Sequence, residues 1–133
     1  MQEMIPVSSS EKHEFIDITP QVQSIVRKSK INEGMCHVYS MHTSASIVIN
    51  ENADPSICLD TIDAFGMLVK EGVWRHDKVD GNADAHIKAA MLGASQTIPV
   101  KDNKLLLGTW QAVSFFELDG PRSRKVCVTV VGK

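Results

Sequence analysis

The stretch that most constrains this chain is Cys36 to Asp54, CHVYSMHTSASIVINENAD, an apolar run interrupted by polar groups that a simple buried strand would not choose. Successive side chains of a strand point to opposite faces. Read as one strand, the run puts His42, Ser44, Ser46, Val48 and Asn50 on one face and His37, Thr43, Ala45, Ile47 and Ile49 on the other. One face then carries an imidazole, two hydroxyls and an amide, and the other is mostly core. A half-exposed strand without a site would alternate in the same way. The tail, Asn50-Glu51-Asn52 followed by Asp54-Pro55, gathers carboxylates and amides at a strand end, a common location for ligands.

Around this stretch the pattern predicts strands at both ends of the chain and helices between them. Met1–Pro6 reads as an edge strand, and Glu14–Ile18 alternates as a strand does. Thr19-Pro20 is a cap-and-proline start for a helix with Val22, Ile25 and Val26 on one face, ended by Asn32-Glu33-Gly34. Asp54-Pro55 repeats that signal for a second helix, with Ile57, Ile62, Phe65 and Val69 or Leu68 facing inward and Gly72 as its stop. A short Ala-rich helix runs from Asn82 to Gly93. Then follow a strand over Ser95–Val100, a polar turn at Lys101–Lys104, and Leu105–Leu107 interrupted by Gly108-Thr109-Trp110-Gln111. Ala112–Leu118, a turn at Asp119-Gly120-Pro121, and Arg124–Val131 complete the chain. The connections are short and hairpin-like, which gives an α+β fold with antiparallel or mixed sheets and two or three helices.

At 133 residues one domain, 1–133, is the simplest expectation. Hydrophobic residues make up 43% and the formal net charge is −2, so neither nucleic acid nor an acidic membrane surface is expected as a partner. The three cysteines, Cys36, Cys58 and Cys127, are odd in number and lie in apolar surroundings without a CxxC pair. With no signal-peptide pattern or membrane-spanning apolar run, they point to a reducing, cytoplasmic setting.

Of the five histidines, His13 lies near the terminus and His37 on the face opposite His42, and both are set aside. His42, His76 and His86 each neighbour amides or carboxylates. Three neutral imidazoles from different elements could hold a divalent metal such as Mg or Zn, or they could be satisfied by ordinary hydrogen bonds. Arg122 and Arg124, two apart at a strand start, suit bidentate binding of phosphate or carboxylate, unless they are simply a solvated strand end. Thr43, Ser44, Ser46 and Thr109 add hydroxyl donors, and Gly108 permits close backbone approach. There is no nucleophile elbow, GxxxxGK or GxGxxG sequence.

The ordered set His42-Thr43-Ser44-Ala45-Ser46, Asn50-Glu51-Asn52-Ala53-Asp54-Pro55, His76-Asp77, His86-Ile87-Lys88, Met91-Leu92-Gly93-Ala94-Ser95, Gly108-Thr109-Trp110-Gln111 and a late Arg-x-Arg resembles the YjbQ family over nearly the whole chain. That resemblance implies a sandwich-like α+β fold, assembly as a homotrimer, and a secondary thiamine-phosphate synthase activity. It implies a polar pocket of His42, Ser44, Asn50, Asn52, Asp54, His76, Asn82, His86, Trp110, Gln111, Arg122 and Arg124. His42, His76, His86 and Asn82 would be catalytic, and the others would bind a phosphorylated small molecule. Two rival readings stand beside it: a non-enzymatic binding protein for a metal or phosphometabolite, and a metal-dependent hydrolase.

Overall fold

A computed structural model describes residues 1–133 and gives eight strands and three helices. One antiparallel sheet has the order β1-β8-β3-β5-β6, formed by Gln2–Ser8, Ser123–Gly132, Glu33–Ser40, Ser95–Lys101 and Lys104–Leu105. The second has the order β2-β7-β4, formed by Glu14–Asp17, Ala112–Glu117 and Ala45–Asn50. The inner faces of the two sheets, with Val22, Ile25 and Val26 of α1 (Thr19–Ser29), enclose one apolar core that includes Val38, Ile47, Phe115 and Val128. On the far side of the second sheet, α2 (Pro55–Leu68) and α3 (Ala83–Leu92) cover Phe116 and Leu118. Strand β7 is therefore covered on both faces, and all six of its residues are buried, which explains why AVSFFE does not alternate.

The stretch Cys36 to Asp54 is two strands in two sheets. β3 ends at Ser40, residues 41–44 turn a corner, and β4 begins at Ala45 in the other sheet. The parity expected for Ala45–Asn50 holds, since Ala45 and Ile47 face the inter-sheet core while Val48 packs towards the helices. His42 and Ser44 belong to the corner, where strand parity does not apply.

Three local expectations are corrected. Thr19 does not cap α1; its hydroxyl accepts the Val113 amide at 2.8 Å and ties the helix to β7. The helix ends at Ser29 with Lys30 left-handed (φ 58), and Glu33-Gly34 already belongs to β3. Leu106 and Leu107 lie outside the two-residue β6. Two expectations are met in detail. The Asp54 carboxylate accepts the Ser56 amide at 2.9 Å and caps α2. Asp102 and Asn103, both at positive φ, make the tight turn between β5 and β6. Val69 is buried just past α2, whereas Leu68 is exposed. No helix is long and apolar enough to cross a membrane.

Candidate active site at the histidine end of the second sheet

The pairing of β4 with β7 sets Ala45 opposite Glu117 and Asn50 opposite Ala112. Five residue steps separate these ends, about 17 Å at strand spacing. The residues expected in one pocket divide between them.

At the first end the corner meets α3. His86 Nδ1 lies 3.0 Å from the Thr43 carbonyl oxygen. A carbonyl can only accept, so Nδ1 carries a proton, and the neutral form of the ring has its acceptor at Nε2. His76, on the 3-10 turn Arg75–Lys78, stands edge-on to His86 with ring centroids 5.1 Å apart. Asp77 fixes that turn by accepting the amides of Trp74 at 2.9 Å and Ala83 at 3.0 Å, and these hydrogen bonds hold its carboxyl below the usual range. His42 Nε2 accepts the Lys125 amide at 2.9 Å, which puts its proton on Nδ1. Burial first, then the Arg124 charge, lowers the His42 pKa, so the ring is neutral at pH 7. Tyr39, Met41, His42, Thr43, His86 and Ala90 line a cleft of about 440 Å³, within the range of small-molecule sites. His86 also borders a second cavity of about 340 Å³, beside His76 and Trp74.

Beneath this corner lies a closed polar network. Arg124 donates through Nε to Glu117 Oε1 at 2.8 Å and through a terminal nitrogen to Glu117 Oε2; the same nitrogen reaches the Ser44 hydroxyl at 2.9 Å. Ser9 and the amides of Leu118 and Asp119 also donate to Glu117. Burial alone would raise the Glu117 pKa, but the Arg124 and Ser9 hydrogen bonds outweigh it and the net shift is downward. Arg124 follows the buried parity of β8 with Val126 and Val128 and is 5% exposed. Arg122 precedes that strand and pairs with Asp119 at 3.0 Å, while Asn82 Nδ2 donates to the same Asp119 oxygen at 2.8 Å. The two arginines therefore do not form a joint anion clamp; each is already committed to a carboxylate.

At the second end, Asn50 accepts the Glu51 amide, Asn52 donates to Asp17 at 2.8 Å, Asp54 caps α2, and Gln111 accepts the Gly108 amide at 2.8 Å. Trp110 is 67% exposed. None of these five side chains lines the His42–His86 cleft.

The expected metal set is not assembled within one chain. His42 Nε2 is occupied by the Lys125 amide, and His42, His76 and His86 do not place three ligand atoms within 4.8 Å of one another. One group does so: His13, Glu71 and Asp84. His13, near the terminus, and Asp84, two residues before His86, are not among the residues the sequence points to as metal ligands. The sequence signal for Asp84 is its pairing with Lys88 one turn on in an Ala-rich helix, a charged pair placed where a short smooth helix packs inward.

Two antiparallel sheets with a helical layer and a histidine-lined cleft define a small α+β protein of the two-sheet class. The family profile described as UPF0047 protein YjbQ-like matches residues 3–133, and the chain belongs to the YjbQ family. It is 44% identical over 126 residues to a UPF0047 protein of Methanocaldococcus jannaschii, covering 95% of this chain and 91% of that one. To the UPF0047 protein YugU of Bacillus subtilis it is 36% identical over 135 residues, with 99% and 100% covered. A crystal structure from Sulfolobus solfataricus, of a protein described as of unknown function, superposes with a TM-score of 0.97 at 38% identity over 100% of this chain and 97% of that one.

Proposed function

We propose that the chain is a transferase of the thiamine-phosphate synthase type and that the His42–His86 cleft is its site. The reaction moves an aminopyrimidine-methyl group from its diphosphate to the nitrogen of a thiazole phosphate. The methylene–oxygen bond breaks, the methylene–nitrogen bond forms, and diphosphate leaves. Such a step depends on orienting the two rings and stabilising the leaving anion more than on a strong base.

The observation that carries this reading is the fixed pair of imidazole tautomers. His42 presents Nδ1–H, a donor suited to an oxygen of the departing diphosphate. His86 presents Nε2, an acceptor suited to the exocyclic amine of the pyrimidine. Hydrogen bonding to that amine increases electron donation into the ring and eases loss of diphosphate. Because His42, His76 and His86 do not close on a common point within one chain, no step is assigned to a metal there.

The same proposal includes a homotrimer in which Trp110 of one copy reaches the cleft of the next. The indole is exposed and distant from the cleft of its own chain. Met4, Met35 and Tyr39 leave an apolar face uncovered on the first sheet.

The test is product formation by the chain purified from a host lacking its own synthase. Thiamine phosphate appearing from the two substrates supports the proposal. Substrate-induced stabilisation without any product would instead favour a binding protein.

A further inference from the structure

The face of α3 opposite His86 carries a second, separate cluster. Asp84 and Lys88 lie one turn apart and are 0% and 1% exposed, and Lys88 Nζ is 3.1 Å from Asp84 Oδ2. Lys88 Nζ is also 3.5 Å from His13 Nε2, in the loop between β1 and β2. Glu71, past the end of α2, completes the group, with Lys12 on Oε1 at 3.1 Å. Three elements distant in sequence thus bring one imidazole nitrogen and two carboxylates within 4.8 Å of one another.

One buried oxygen of this group lacks any hydrogen-bond partner, Asp84 Oδ1. An orphaned buried acceptor costs free energy unless a donor or cation meets it, and a carboxylate oxygen costs more than an amide. Lys88 satisfies only Oδ2 of Asp84, and Lys12 only Oε1 of Glu71, so each carboxylate keeps one oxygen without a protein partner. Lys88 and Lys12 balance the charge of the two carboxylates. Glu71 is exposed and His13 half-buried, which leaves an entry path to the buried Asp84.

We propose that His13, Glu71 and Asp84 form a binding site for a divalent transition-metal ion of the Zn²⁺ type, joining the β1–β2 loop and the end of α2 to α3. One imidazole and two carboxylates are a mixed N/O donor set, which suits zinc and its neighbours better than the all-oxygen sets of Ca²⁺ or Mg²⁺. Asp84 Oδ1, the side-chain oxygen that nothing else meets, is the central ligand. Because the site faces away from the His42–His86 cleft, it stands or falls independently of the transferase reading.

The test is calorimetric titration of the chelator-treated full chain with zinc chloride in a non-coordinating buffer. One ion per chain is expected. His13→Ala and Asp84→Asn should each weaken binding by roughly tenfold or more, and His86→Ala should bind as wild type does. His13 sits on a half-buried loop, so His13→Ala tests the site without disturbing the core, and circular dichroism checks that Asp84→Asn is folded. The absence of saturable binding overturns the proposal. So does wild-type affinity in either His13→Ala or a folded Asp84→Asn, and so does a loss of binding in His86→Ala.

Discussion

Arg124 and Glu117 form a two-pronged ion pair inside the protein, with the guanidinium reaching past the carboxylate to the Ser44 hydroxyl at 2.9 Å. The pair fastens the start of β8 and the end of β7 to the corner that carries His42. Removing one partner leaves the other as an uncompensated buried charge, whereas replacing both with apolar groups does not. Arg124→Met is expected to lower unfolding free energy by about 3–5 kcal/mol. The double variant Arg124→Met/Glu117→Leu should recover most of that loss in chemical denaturation. If Arg124 were held for anion binding alone, the single variant would leave stability unchanged.

Stability should fall in two stages on acidification of the metal-free protein. His42 is lowered by burial and by Arg124, and His13 by burial and by Lys88. Between their folded values and the ordinary value of 6.5 the unfolded chain binds more protons, so their contribution is complete above 6.5 and is lost as pH falls below it. Glu117 and Asp119 are also lowered, because hydrogen bonds and arginine charges overcome the effect of burial. Their contribution is complete above the ordinary carboxylate values of 4.5 and 3.8 and disappears further into acid. Thermal melts at pH 7.5, 5.5 and 3.5 should show both declines. A melting temperature that is flat or rising between pH 7.5 and 5.5 would contradict the account.

Asp54 separates a structural role from a functional one. Its carboxylate accepts the Ser56 amide at the start of α2, so Asp54→Ala is expected to cost about 1 kcal/mol of stability. The same variant should leave kcat/KM for thiamine phosphate formation unchanged. A large kinetic loss without destabilisation would return Asp54 to the ligand-binding set.

Most elements were legible because they obey local rules: the Asp54-Pro55 cap, the hydrophobic face of α1, and the polar turn at Asp102-Asn103. The corner at residues 41–44 was not, because a strand that changes sheets keeps its apolar character on both sides of the break. Arg124 reads as half of an anion-binding pair or as a solvated strand end, because sequence alone does not show that the face it shares with Val126 and Val128 is buried. His42 and His86 line the cleft, whereas Trp110 and the Asn50–Asp54 group fall at the opposite end of the sheet. His13 is set aside on sequence because only tertiary structure brings its loop against α3.

Trp110 supplies a test of the shared site. If Trp110 of one copy enters the cleft of another, Trp110→Ala and His86→Ala are each defective as pure assemblies. Co-refolding the two in equal amounts should restore part of the activity, since some clefts then pair an intact His86 with an intact Trp110. Mixtures no more active than the average of the separate variants would argue against a site shared between copies.

The most direct test is the steady-state rate of His86→Ala in thiamine phosphate formation, measured beside its melting temperature. Loss of the positioned imidazole is expected to lower kcat/KM by roughly 10²-fold or more, with the fold intact. A His86→Ala protein whose kcat/KM matches wild type would show that the chemistry lies elsewhere and that the cleft is not the active site.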